Sequence, residues 1–277
     1  MNIADFDVYQ ELLQEKSGLA LTQAQGYLIE SRLNPIARKW GYESINGMTQ
    51  ALRGVPSDDL VVDIIEAMTT NETSFFRDKS AFNDLRDIVL PYYMNKAEQK
   101  PYLRIWCAAA SSGQEPYSLA MLLKEEAGSI PDWHYEIIAS DISHDIIEQG
   151  KEGVYTQFEA QRGLPVTYLM KYFEQDSNKW NLSPDIKKMV KFQYFNLLDN
   201  MDTLGQFDVI FCRNVLDCFN QDTQNDVMER LGNQLHDDGF LFLGHAESDL
   251  NIVDSCKALP GSRNLYVKSS SAHVIAA

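Results

Sequence analysis

Apolar positions recur every three or four residues through the first part of the chain, and give way from residue 103 to short apolar runs alternating with helical patterns. Residues 1 to about 68 therefore read as helices joined by short breaks. Phe6, Tyr9, Leu12 and Leu13 share a face that ends before Gly18. Thr22 is placed to cap a helix carrying Tyr27, Leu28, Ile29, Leu33 and Ile36, which Gly41 closes. Ser44 opens a short helix to Leu52. Ser57 opens another through Met68, with Asp58 and Asp59 at the positive end of its dipole. The next stretch, T-T-N-E-T-S-F-F-R over 69–77, is too polar for a core, while Phe75 and Phe76 are too apolar for a free linker. It reads as a docked functional loop that leads into a long helix from about 78 to 97.

Beyond it, alternating strands and helices predict a mainly parallel sheet. Residues 103–108 form a buried strand and 109–113 a turn of small residues; Pro116 then opens a helix, since its missing N–H costs nothing at the first helical position. A second strand, 135–139, ends in Ser140-Asp141-Ile142-Ser143, with a helix over 143–149. Residues 155–191, with Gly163, Pro165 and Pro184, break the rhythm and read as an inserted subdomain whose role composition does not reveal. A strand resumes over 190–195, ending in Asn196-Leu197-Leu198. The near-continuous apolar run 207–212 is of the kind parallel sheets bury on both faces, and Arg213 and Asn214 follow it. A helix over about 221–235 leads through Asp237-Asp238-Gly239 to a strand over 240–243 and then Gly244-His245-Ala246-Glu247. A final hairpin pairs 253–258 with 264–268 around Pro260-Gly261, before a frayed tail from 269. The expected divisions are a helical domain over 1–68, a linking loop and helix over 69–98, a sheet domain over 99–268 with the insertion at about 155–191, and a tail over 269–277.

Charge narrows the partners. With 24 basic and 40 acidic residues the formal net charge is -16, so a phosphate backbone or an anionic membrane is repelled over most of the surface. Arg32, Arg38, Lys39 and Arg53 are the candidates for a local basic face. Cys107, Cys212, Cys218 and Cys256 show no C-x-x-C spacing and read as reduced thiols, with no metal site. No run approaches the roughly 18 apolar residues of a membrane span, and the opening residues lack a basic region followed by an apolar core. A soluble, cytoplasmic protein is expected.

A strand, a small-residue turn and a helix present free backbone N–H groups to a nucleotide-like ligand. Gly113 is the single glycine of this turn, which weakens a nicotinamide oxidoreductase, and no G-K-[ST] follows. Asp141, at the carboxyl end of the second strand, is placed to accept from both hydroxyls of a ribose. A ligand with adenosine and no phosphates fits, and S-adenosylmethionine is the candidate. Its amine calls for an acid such as Glu115 and its carboxylate for a cation such as Arg77 or Arg213. No Ser/His/Asp order or G-x-S-x-G elbow appears, and His245 reads as a loop residue.

Taken together, N-E-T-S-F-F-R over 71–77, C-A-A-A-S-S-G-Q-E-P-Y-S over 107–118, Ser140-Asp141-Ile142, F-D-V-I-F-C-R-N-V over 207–215 and G-F-L-F-L-G-H-A-E over 239–247 resemble the chemotaxis receptor glutamate methyltransferases of the CheR type. The resemblance spans nearly the whole chain. It implies a Rossmann-like α/β S-adenosylmethionine methyltransferase sheet with a small all-helical N-terminal domain and an inserted subdomain. It also implies methyl transfer to glutamates on the cytoplasmic helices of methyl-accepting chemotaxis proteins, with S-adenosylhomocysteine as product. Carried over by motif, Asn71, Thr73 and Arg77 lie against the cofactor, with Arg77 also at the transfer centre. Glu115 holds the methionine amine, Asp141 the ribose, Asn196 and Leu197 the adenine side, and Arg213 with Asn214 form the inner wall. The chain departs from the family in two places. Cys218 stands where relatives carry a tyrosine in R-N-V-x-I-Y-F, a feature that favours the alternative of a non-catalytic cofactor-binding module regulating a receptor or signalling partner. The segment between Phe173 and Phe192 is shorter than in relatives that dock a receptor's C-terminal pentapeptide, so recognition without that peptide is expected.

Overall fold

A computed structural model describes residues 3–96, 102–126, 133–249 and 255–271. The chain divides into two units. One holds residues up to Thr70 together with Cys218–Gln224. It contains α1 (Ile3–Ser17), α2 (Gly26–Lys39), α3 (Ile45–Leu52) and α4 (Asp58–Met68). Their inward stripes place Tyr9, Leu13, Ile29, Leu33, Met48 and Ile64 in its core. Ser57 Oγ accepts from the Leu60 N–H and caps α4 as expected, whereas a tight turn over Gln23–Gln25, whose Gln25 side chain accepts from the Thr22 N–H and hydroxyl, separates Thr22 from α2, and neither α2 nor α3 has a side-chain cap bond. An antiparallel bridge joins Leu19 to Phe219, and the Ala20 N–H donates to the Cys218 carbonyl at 2.8 Å.

The expected basic face is largely committed within this unit. Arg32 donates to the carbonyls of Met68 (2.8 Å) and Thr69 (3.2 Å), satisfying the open end of α4. Arg53 pairs with Asp5 at 3.0 Å and Lys39 with Asp63 at 2.8 Å. Arg38 is exposed and has no ion pair among the described residues.

The other unit holds Asn71–Asp217 and Asn225–Ala277. Its strands in chain order are β1 (Tyr102–Ala108), β2 (His134–Asp141), β3 (Val154–Thr156), β4 (Phe173–Asp176), β5 (Lys179–Leu182), β6 (Val190–Tyr194), β7 (Phe207–Cys212), β8 (Leu235–Leu243), β9 (Cys256–Ala258) and β10 (Leu265–Lys268). A seven-stranded sheet runs β6-β2-β1-β7-β8-β10-β9, and β10 pairs antiparallel with β8 while β6 to β8 are parallel throughout. The order reverses direction beside β1, and the crevice outside the carboxyl ends of the strands there is where open α/β sheets bind ligands. The insertion forms a separate antiparallel sheet, β3-β5-β4.

The structure departs from the sequence expectation most at the helix after β1, at the helix after the 71–78 loop and at β8. The helix after β1, α7 (Gln114–Glu126), starts two residues before Pro116. Every N–H of a first turn lacks an intrahelical acceptor, so proline is tolerated at the third position as at the first. The expected long helix runs as α5 (Lys79–Asp84) and α6 (Leu90–Met94), joined by a π-turn over Leu85–Val89, where the Leu90 N–H reaches back to the Leu85 carbonyl just before Pro91. Strand β8 begins at Leu235, not at 240. Its pairing jumps from Phe207↔Leu235 to Val209↔Phe240, so Asp237-Asp238-Gly239 bulge opposite Asp208 instead of turning. The expected strand start at 253 lies outside the described residues. Among the described residues no helix is long and apolar enough to cross a membrane.

The core is continuous around the sheet. Phe211 and Phe242 stack at 4.3 Å on neighbouring strands, and Trp106 stacks on Phe207 at 5.4 Å while its Nε1–H donates to Ser140 Oγ. Burying aromatic rings of this size contributes about 2–3 kcal/mol each, which fixes the sheet that carries the polar residues at its strand ends.

Candidate active site

Backbone strain marks the place. Six described non-glycine residues have positive φ, and five of them, Phe76, Asp78, Ala109, Ser111 and Asn214, lie in the 71–78 loop, the turn after β1 and the turn after β7. Left-handed backbone costs a non-glycine residue about 1–3 kcal/mol, and such residues cluster where surrounding contacts over-determine an unusual shape. Gly113 ends the turn after β1 at φ +93°, and a Cβ there would stand 3.0 Å from the rings of both Phe192 and Tyr117. Glycine is therefore required by conformation and by space.

Hydrogen bonds tie three segments into one wall. Asp141, 6 % exposed at the end of β2, accepts from the Ser111 N–H (2.9 Å) and the Ser143 N–H (3.1 Å). Ser111 Oγ donates to the Asn71 carbonyl at 3.1 Å, and the Phe195 N–H donates to the Asp141 carbonyl at 3.0 Å, bringing Asn196 and the buried Leu197 alongside. Capping of the following helix, α8 (His144–Glu152), falls to Ser143, whose Oγ accepts from the Ile146 N–H. Each carboxylate oxygen of Asp141 takes a backbone donor there, which fixes the carboxylate at the strand end.

A second cluster is built on Arg213, whose side chain is 1 % exposed. Its Nη1 donates to Glu115 Oε2 at 2.6 Å, and its Nη2 to the Arg77 carbonyl (2.8 Å) and to Asp78 Oδ2 (2.9 Å). Burial pushes the Glu115 carboxyl above its ordinary value, with the Arg213 charge opposing that shift. Glu115 Oε1 has no partner among the described residues, and the buried Arg213 Nε–H has no acceptor. The ammonium of an amino-acid group fits this arrangement, since Glu115 offers it a free acceptor. Arg213 thus ties Glu115, Asp78 and the Arg77 backbone together at the end of β7. Arg77 is half-buried, and its Nη1 donates to the Glu72 carbonyl at 2.8 Å; Thr73 is half-buried in the same loop.

One residue of this site escaped sequence reasoning. Glu247 is fully buried, and its two oxygens accept from the backbone N–H groups of Asn214, Val215, Leu216 and Gly244 at 2.6–2.9 Å. It thereby shapes the turn that carries Arg213 and left-handed Asn214. The sequence signal was an acid close behind the buried strand β8, in the position where His245 drew attention instead. His245 is exposed. Among the described residues no group of three or more His, Cys, Asp or Glu side chains is placed to hold a metal ion.

A parallel sheet with a small-residue turn after β1 and carboxylates at its strand ends is the framework of an S-adenosylmethionine-dependent methyltransferase. Residues 71–263 match the CheR methyltransferase, SAM binding domain, and residues 4–69 the CheR methyltransferase, all-alpha domain. The chain belongs to the CheR methyltransferase family. It is 36% identical over 249 residues to chemotaxis protein methyltransferase Cher2 of Pseudomonas putida, covering 88% of this chain and 90% of that protein. It is 37% identical over 256 residues to chemotaxis protein methyltransferase 1 of Pseudomonas aeruginosa, covering 91% and 92%. Against the chemotaxis protein methyltransferase of Vibrio parahaemolyticus it is 34% identical over 251 residues, covering 89% and 90%. The methyltransferase reading therefore prevails over that of a cofactor-reporting module, Cys218 notwithstanding.

Proposed function

We propose that this protein transfers the methyl group of S-adenosylmethionine to glutamate side chains on the cytoplasmic helices of methyl-accepting chemotaxis receptors, forming glutamate methyl esters. The observation that carries the reading is the Glu115–Arg213–Asp78 cluster with Arg77 in the adjoining loop, in a chain of the CheR family. The sulfonium of the bound cofactor makes its methyl group electrophilic without help from the protein. A substrate glutamate, with a free pKa of about 4.3, is ionised near neutral pH, so no strong general base is required. The residues' work is alignment and exclusion of water. Arg77 orients and desolvates the attacking carboxylate, Glu115 holds the cofactor amine, Asp141 the ribose, and Asn196 and Leu197 flank the adenine.

Charge supports the cofactor assignment. Carboxylates outnumber cations around the site, with Asp78, Glu115 and Asp141 against Arg77 and Arg213, which suits a cationic sulfonium ligand. Recognition independent of a receptor tail peptide is supported by the short hairpin between β4 and β5, in which Ser177 takes a left-handed φ of 56°.

The test is transfer of labelled methyl from S-adenosylmethionine to a purified receptor cytoplasmic domain. The label is expected to be released in alkali, as an ester and not an N-methyl group is. Arg77→Ala is expected to keep the fold and lose most transfer; near-normal turnover in that variant, or alkali-stable label, sinks the assignment.

A further inference from the structure

The insertion is wrapped around the loop that precedes Arg77. Phe75 packs edge-on against Tyr155 of β3 at 5.0 Å and Phe173 of β4 at 5.6 Å. Phe76 stacks at 5.3 Å on Tyr168 of α10 (Val166–Tyr172), with the rings 13° from parallel. Between α9 (Gln157–Gln161) and α10, Gly163 has φ +87°, and a Cβ there would collide with the Phe75 carbonyl oxygen. Its neighbour Arg162 pairs with Glu72, and the Glu72 carbonyl in turn accepts from Arg77 Nη1 at 2.8 Å. One polar chain thus runs from the insertion to the Arg77 guanidinium.

The Arg162–Glu72 pair is exposed, at 43% and 60% of the side chains. Exposed pairs add little stability, so its contribution is to geometry. The loop needs such help, because Phe76 is held at φ 48°, a conformation a bulky residue adopts only when neighbours impose it.

We infer that the insertion is a brace for the cofactor loop, and that Arg162 is a positioning residue that sets the backbone of residues 71–77 through Glu72. This rests on the reading of that loop as part of the cofactor site. The insertion, whose composition disclosed no role, then acts on the methyl-transfer site of its own chain.

The test uses the full chain and S-adenosylhomocysteine binding by calorimetry, with no receptor present. Arg162→Ala is expected to raise the Kd about three- to fivefold and to lower kcat, with the thermal midpoint unmoved. Arg162→Lys should restore much of the affinity. Glu72→Gln should match Arg162→Ala, and the double variant should be no worse than either, as for two residues acting through one contact. Unchanged Kd in Arg162→Ala, additive losses in the double variant, or a Kd loss that merely follows a lower thermal midpoint would each overturn the brace. Failure of the glutamate reading shows elsewhere, as absence of alkali-labile label with the unsubstituted protein, while the Kd still responds to Arg162. Gly163→Ala adds a check, since its Cβ must displace the Phe75 carbonyl: a larger rise in Kd than for Arg162→Ala is expected, and wild-type affinity would overturn the brace.

Discussion

Arg213 donates to Glu115 at 2.6 Å, joining the end of β7 to the first turn of α7 across 98 positions of sequence. Arg213 is buried and Glu115 is 13% exposed, so neither charge is well hydrated and each depends on the other. Breaking such a pair from one side typically costs about 3–5 kcal/mol, because the remaining charge is left buried. Here Asp78, at 2.9 Å, is a second acceptor that limits the loss.

Glu115→Gln should therefore fold, yet bind S-adenosylhomocysteine at least about tenfold more weakly, since a charge-assisted hydrogen bond is worth about 1.5–3 kcal/mol. The pH dependence has a definite sign. Burial raises the folded-state pKa of Glu115 above 4.5, so the folded chain keeps that proton to higher pH than the unfolded chain does. Its contribution to stability is present below the unfolded value and is lost as pH rises through the folded one. Ammonium binding needs the ionised form, so affinity should weaken as pH falls, with a midpoint above that of an ordinary glutamate. Calorimetry over a pH series from acid to neutral should show this limb in the wild type and its absence in Glu115→Gln.

Glu247→Gln tests the turn behind Arg213. An amide has one oxygen, which can accept from two of the four N–H groups while its NH2 faces the other two. Two buried donors lose their acceptor, at about 1–3 kcal/mol each. The midpoint of urea unfolding should fall accordingly, and a variant as stable as the wild type would contradict the four-donor arrangement.

Receptor attraction should fall to Arg38. Because Arg32 and Arg53 are engaged within their own unit, Arg38→Glu is expected to raise the KM for receptor more than it lowers kcat, and less so at high salt. Arg32→Glu should instead lower the melting temperature, since it uncaps α4. Equal effects of the two reversals on KM alone would restore the wider basic face.

Much of the fold was legible because its signals are local. The six-residue run Phe207–Cys212 is apolar but for Asp208, and the structure buries all of it. Asp141 and Arg213 stand at strand ends because hydrophobic runs stop where polar residues begin, and a period of two or of 3.6 shows in a short window. The 71–77 loop was recognisable as docked from two phenylalanines among polar residues. What tertiary structure alone decided is which charged and polar groups meet. That Glu115 faces Arg213, that Glu247 gathers four N–H groups and that Arg162 reaches Glu72 across 90 positions follow from sheet order and from where the insertion folds back. A charged side chain carries no periodic signature of its partner; its pairing is set by the burial and closeness of elements far apart in sequence.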